Sequence, residues 1–462
     1  IPVFSESLEK NGRESAFAFA NRVLSRALVT LLFLTGLGMF LYALGWFLVR
    51  EAGLAKTFNA ERSLWEHGCE MGIILLPYMV LVCMAALMGG LLNVLQSFAV
   101  HALTAVWLNL AMIAALLIGG LAMGLKDYRL AIALCVGVLV GGAAQLIIPY
   151  VALRKEHWRG RLDFSHSNEV AELWRIFLPA VVGAAVIQVN ILVSRILAIG
   201  LNATGVSALY LANRLVELPL GVFAIAVTTV VFPQLSRLAA SPERKGLANT
   251  YAQGLRLILA ITVPAGVGLT ILAEPVLGLL FRWGRFSELD VEITTPILFV
   301  FALALPFYGL ATIATRGFHS LKDTRTPVRV AALSFIVNLV LSLALMFPFS
   351  TLGLAIANAV SAAVQALVLA WLLPRVHGDF SGARVLGGLV RIILSAVVMG
   401  LAVWGLWHVV QSSVTDLKLA NLLAVLVVIP LSAGLYFAAL WFSGYEDRHS
   451  LLNLFMRFGR GK

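Results

Sequence analysis

An arginine and a glutamate three residues apart interrupt the apolar run LYLANRLVELPLGVFAIAVTTVVFPQLSR at residues 209–237. A charge at mid-bilayer costs roughly 2.5 to 3.5 kcal/mol on insertion scales, so it must face a partner, a watery cavity or the interface. The i, i+3 spacing puts Arg214 and Glu217 on one helix face, where they can pair, and Pro219 beyond them weakens the backbone ladder. Two uses of Arg214 stay open. One is a guanidinium turned to a watery cavity, with Glu217 as its partner. Alternatively, Arg214 precedes the basic helix end at Arg237 by about 34 Å at ~1.5 Å per residue, and it can snorkel to the opposite interface. Glu217, shorter and deeper, is harder to place that way.

Other polar residues lie in neighbouring apolar stretches. Arg195, within QVNILVSRILAIG, can snorkel outward or face a cavity. Gln188, Asn190, Asn109, Asn338 and Asn358 are of the type that makes interhelical hydrogen bonds in membranes. The segment REAGLAKTFNAERSLWEHGCEM (50–71) carries Glu61, Glu66, His67 and Glu70, the acids a membrane-embedded transferase would need, and equally the pattern of an amphipathic surface helix. In FHSLKDTRTPVRV (318–330), Thr326 reads as an N-cap with Pro327 at the first helical position. The three cysteines have no close pairing and the histidines no ligand spacing, so no metal or other cofactor is expected.

These residues need helices to hold them. The chain has 462 residues, 60% of them hydrophobic and 12% charged, with a mean hydropathy of +0.94. That composition excludes a soluble globular domain and specifies an all-α polytopic membrane protein. Helices are expected at 23–49, 72–95, 100–124, 130–152, 174–200, 206–236, 253–281, 295–316, 327–348, 351–374, 386–410 and 419–443. The net charge of +11 follows the positive-inside rule rather than a nucleic-acid footprint. If the loop at 5–22 is cytoplasmic, alternation puts the basic clusters at 154–175, 237–256, 316–329 and 375–391 and the C-terminal tail on the same side. The opposite side keeps only scattered cations such as Arg50, Lys126, Arg282 and Lys418.

Internal symmetry adds an architecture. LLPYMVLVCMAALMGGLLN (75–93) resembles ALPFYGLATIATRGFHS (304–320), pairing Pro77 with Pro306 and Asn109 with Asn338. IPVFSESL at the start resembles FPQLSRL at 232–238. The expectation is two pseudo-symmetric six-helix lobes and an appended pair of helices. The N-terminal lobe is 1–153, with nearly two helices expected ahead of residue 1; 154–173 is a cytoplasmic linker whose basic residues meet anionic headgroups. The C-terminal lobe is 174–376, and 377–462 adds two helices and a tail.

The blocks LANRLVELPLGVFAIAVTTVVFPQLSR, FRWGRFSELD and FHSLKDTRTPV resemble the MurJ (MviN) family of lipid II flippases, and the resemblance extends over essentially the whole chain. It implies the fold of the multidrug/oligosaccharidyl-lipid/polysaccharide exporters, two pseudo-symmetric helical lobes around a central cavity, with fourteen helices, the last two helping to form a groove for a lipid tail. It implies transport of undecaprenyl-pyrophosphate-linked disaccharide-pentapeptide across the bacterial inner membrane by a monomer, with no nucleic-acid partner and no covalent chemistry. Arg214 then matches a cavity arginine that meets the pyrophosphate, with Glu217 as its accompanying acid. The candidate substrate-binding set is Arg214 and Glu217 with Arg195, Asn213, Gln188 and Asn190. Some members bind sodium through carboxylates in the C-terminal lobe. The comparable positions here are Ser194, Asn338, Ser342 and Asn358, which do not favour a sodium site and leave membrane potential or another gradient as the driving force. The rival readings are a polysaccharide-lipid flippase, a cation-coupled drug exporter using Glu217 or Glu274, and a membrane glycosyltransferase or ligase.

Overall fold

The structure is a computed structural model and describes residues 2–51, 62–165, 170, 174, 181, 185, 188–189, 191–198, 201, 204–240, 246–321, 323–377 and 382–452. Among these there is no strand, and ten helical spans are long and apolar enough to cross a membrane. The chain separates into two compact units, Ile1–Val181 and Val182–Lys462.

In the first unit, α1 (Pro2–Glu51) is helical throughout except at Gly12, whose φ of 79° breaks it. The expected loop at 5–22 is therefore helix. The reason is an apolar stripe hidden among polar residues: Phe4, Ala16, Phe19 and Ala20 are buried together with Val170. The expected span at 72–95 is extended and bent. Pro77, which has no N–H to donate, opens α3 (Pro77–Val94) directly after α2 (Arg62–Leu75). The acids of the 50–71 segment that fall in α2 act as fasteners: Glu70 accepts the Trp46 indole N–H at 3.2 Å and the Tyr128 hydroxyl, while His67 stacks on Tyr128 at 4.0 Å. Glu61 lies outside the described residues. α4 (Phe98–Ala102) and α5 (Thr104–Leu116), continued by a π-helical turn at Leu117–Ala122, lead to α6 (Asp127–Lys155).

After α6 the chain turns at His157, φ 65°, and runs without helix through 158–165. This strap is fastened along α1. Trp158 is buried and edge-on to Tyr150 at 5.6 Å. Asn21 donates to the Arg159 carbonyl at 3.0 Å, Arg26 to the Phe164 and Ser165 carbonyls, and the Asp163 N–H donates to the Ser25 hydroxyl. Hydrogen bonds from Ser165, and then the Arg22 guanidinium at 3.1 Å, hold the Asp163 carboxyl below its ordinary range.

The second unit contains α7 (Gly205–Ala240), α8 (Leu247–Ile271), α9 (Ala273–Phe281), α10 (Glu288–Ser320), α11 (Arg325–His377), α12 (Gly382–Ser413), α13 (Leu417–Leu423) and α14 (Ile429–Phe442), with a π-helical turn between the last two. α10 starts with a full capping box, Ser287 and Asp290 each bonding the other's backbone. α11 is two helices meeting at Ser350, φ 51°, where the sequence expects a hairpin at 349–350. Its N-terminus is capped differently from expectation. The helix starts at Arg325, and the Asp323 carboxylate accepts the N–H groups of Arg325 and Thr326 and the Thr326 hydroxyl. Those bonds, the Thr326 hydroxyl foremost, keep the Asp323 carboxyl below its usual range.

One core joins α7, α8, α11 and the appended helices through Val231, Tyr251, Ile258, Leu369, Ile392 and Tyr436. Close approach is required at Gly266, where a Cβ would lie 2.6 Å from the Ala302 carbonyl oxygen. Arg256 on α8 is buried; its Nε–H donates to Asp447 at 2.6 Å, and Glu446 lies 3.7 Å away. This pair fastens the segment after α14 to the core of the unit.

Candidate functional site

α7 carries the proposed arginine because its residues otherwise satisfy a membrane helix: Ala208, Ala212 and Val216 recur at intervals of four and are fully buried, which turns positions 210, 213, 214 and 217 outward. There Asn213, Arg214 and Glu217 form one cluster. The Glu217 carboxylate accepts from Asn213 Nδ2 at 2.6 Å and from Arg214 Nη1 at 2.8 Å. The Arg214 guanidinium lies over the Tyr210 ring, 5.0 Å from its centroid. The Arg214 and Glu217 side chains remain 59% and 49% exposed. At such exposure the ion pair is worth at most about 1 kcal/mol. Its effect is orientation: ring and carboxylate fix the direction of a guanidinium that stays accessible.

A cavity of about 160 Å³ adjoins the cluster and is lined by Ser194, Arg195, Tyr210, Asn213, Glu217 and Asn358, among others. The structure thus brings Arg195, Asn213 and Glu217 to one cavity, with Arg214 beside them. Gln188 is exposed earlier in the same stretch of chain, and Asn190 lies outside the described residues. Asn358 also lines a larger cavity, about 490 Å³, together with Tyr308, Thr312, Arg316, His319 and Gln365. The sequence reading missed Tyr210, whose position four residues before Arg214 is the available signal, and it missed Arg316, which was counted only as a basic helix end.

Three of the four positions compared with a sodium site, Ser194, Asn338 and Asn358, take part in a neutral hydrogen-bonded seam. Ser194 donates to Asn338 Oδ1 at 3.5 Å, Asn338 Nδ2 to Ser361 Oγ at 3.5 Å, and Tyr308 to Asn358 Oδ1 at 2.7 Å. Both asparagine carbonyl oxygens are occupied as acceptors. Ser342 is buried, and its hydroxyl has no partner among the described residues. No carboxylate belongs to the seam, and among the described residues there is no His/Cys/Asp/Glu group able to hold a metal.

Comparison with known proteins gives a consistent family. The family model described as "Lipid II flippase MurJ" matches residues 1–424. A probable lipid II flippase MurJ from Haemophilus influenzae is 31% identical over 425 residues, covering 87% of this chain and 80% of the relative. One of the same description from Rhizobium tropici is 29% identical and covers 97% and 83%. Among solved structures, "Lipid II flippase MurJ, inward closed conformation" superposes with a TM-score of 0.73 at 22% identity, covering 94% of this chain and 88% of that one. An inward-facing multidrug resistance MATE family transporter of the MOP superfamily reaches 0.66 at 16% identity, covering 82% and 85%. The structural likenesses establish the shared fold.

Proposed function

The chain belongs to the MurJ family of lipid II flippases, and from that premise we propose that it carries lipid II from the inner to the outer leaflet by alternating access. The protein is a multi-pass transporter of the bacterial inner membrane. Its substrate is lipid II, undecaprenyl-pyrophosphate-linked disaccharide-pentapeptide, and the machinery is positional, with no bond made or broken. The reading divides the chain into lobes at 1–153 and 174–376, a cytoplasmic linker at 154–173 and an added helical pair and tail at 377–462, acting as a monomer. The pyrophosphate is met by Arg214, with Arg195 and Asn213 supplying further donors and Gln188 and Asn190 lying along the approach. The headgroup crosses within the cavity while the polyprenyl tail stays in lipid.

The observation that supports this reading is the oriented, accessible guanidinium of Arg214 at a membrane-embedded cavity. A guanidinium held by a ring and one carboxylate keeps donors for a diphosphate, whereas a snorkelling arginine has no need of either. The drug-exporter alternative requires an uncommitted intramembrane carboxylate. Glu217 is already bonded to Arg214 and Asn213, and Glu274 is exposed in the first turn of α9. The test is Arg214→Ala: it should abolish rescue of flippase-depleted cells at unchanged membrane abundance. Full rescue would remove Arg214 from the site.

A further inference from the structure

We propose that the strap at 156–165 is a membrane-surface anchor, inserting Leu162 and Phe164 among anionic headgroups that Arg159, Arg161, Arg154 and Lys155 attract. Its inward-facing groups are committed. Trp158 is buried, the carbonyls of Arg159, Phe164 and Ser165 accept bonds from α1, and the strap's two acids are taken up: Glu156 pairs with Arg13 at 3.2 Å and Asp163 with Arg22 at 3.1 Å. Its outward-facing groups are uncommitted. Leu162 is 71% exposed and Phe164 54%. Arg154, Lys155, Arg159 and Arg161 are exposed, with no carboxylate at ion-pairing distance among the described residues.

Among the described residues of this segment the paired acids leave the unpaired charges of one sign, and two apolar side chains stand among them. The segment belongs to the side of the membrane that collects the basic clusters. Phospholipid phosphates at the leaflet surface supply the complementary charge, and the acyl boundary beneath them supplies an apolar seat for Leu162 and Phe164. A basic surface alone would suit any polyanion. The apolar pair among the cations selects a lipid surface over a soluble acidic partner. Because α1 holds the strap's backbone at successive points, the anchor is presented already ordered and loses little entropy on insertion.

The experiment places a nitroxide at Leu162→Cys, in a background of Cys69→Ala, Cys83→Ala and Cys135→Ala, with the protein in nanodiscs. Accessibility to oxygen and to a water-soluble nickel chelate is then compared between phosphatidylcholine and phosphatidylcholine doped with phosphatidylglycerol. The probe should become oxygen-accessible and chelate-protected as phosphatidylglycerol rises. Arg159→Gln with Arg161→Gln should raise the phosphatidylglycerol fraction needed for half of that change by roughly fivefold per arginine removed, the equivalent of about 1 kcal/mol each. Among the described residues the hydrogen bond of Arg159 to α1 runs through its carbonyl, so this variant keeps that latch intact. A probe that stays chelate-accessible in both membranes would overturn the proposal. So would a shift that survives loss of both arginines, or protection that appears only when an acidic soluble protein is added. None of these readings depends on the transported substrate.

Discussion

At the scale of single residues the site rests on the geometry of one guanidinium. Arg214→Lys keeps the charge but loses the planar fork, so roughly a ten- to hundredfold rise in the lipid II concentration for half-maximal flipping is expected, as for losing one charge-assisted hydrogen bond of about 1.5 to 3 kcal/mol. Reconstituted proteoliposomes would measure it; an unchanged value would mean that charge alone suffices. Tyr210→Leu removes the ring beneath the guanidinium and should cost about 1 kcal/mol, a several-fold effect in the same assay. The pairing of Arg214 with Glu217 was legible in the sequence because charge inside an apolar span is conspicuous. Tyr210 and Arg316 were not, since an aromatic in a membrane helix and an arginine at a basic helix end are both ordinary until a cavity is seen beside them. Arg256 was hidden in the same way: its partner Asp447 is 191 residues away, and no local pattern links them.

At the scale of elements, the spans among the described residues were legible wherever apolar length decides, including the break at 349–350, while much of the expected span at 174–200 lies outside the described residues. They were misread where burial rather than composition decides, as in the helical start of α1, whose stripe of Phe4, Ala16 and Phe19 is masked by polar neighbours. The cap of α11 shows the same limit. Asp323 rather than Thr326 receives the helix N–H groups, and Asp323→Ala should lower stability by about 1 kcal/mol, seen as a lower thermal midpoint in detergent. The carboxyl's depressed pKa means its folded state favours the charged form. That stability is fully present above the ordinary carboxylate pKa of about 3.9 and is lost as pH falls through the lower folded value. The Asp323→Ala variant should therefore lose this carboxyl's share of the wild type's acid sensitivity, and an identical pH dependence would contradict the assignment. At Gly266, alanine must push α8 from the Ala302 carbonyl, a close-packing defect expected to cost about 1 to 3 kcal/mol in the same melt.

At the scale of the whole molecule, the seam around Asn338 and Asn358 holds neutral amides and hydroxyls and no carboxylate, and we propose an energy source other than sodium. Replacing sodium by choline should leave transport of lipid II unchanged, while collapsing the membrane potential should slow it. Exposure of lipid II to an externally added hydrolase reports both, and a sodium requirement would reverse the reading of Ser342 and Asn338. The Arg256–Asp447 pair sets a further demand. Arg256→Met alone strands a buried carboxylate and should cost about 3 to 5 kcal/mol, whereas Arg256→Met with Asp447→Leu should recover most of it. The same pair has a history in time. Asp447 leaves the ribosome 191 residues after Arg256, an interval of roughly 10 to 40 s at ordinary elongation rates. Through that interval the growing chain holds Arg256 without the carboxylate that later pairs with it, and its long side chain shelters at the headgroups until Asp447 has been made. Nascent chains stalled before Asp447 are therefore the ones that membrane quality control should recognise and clear.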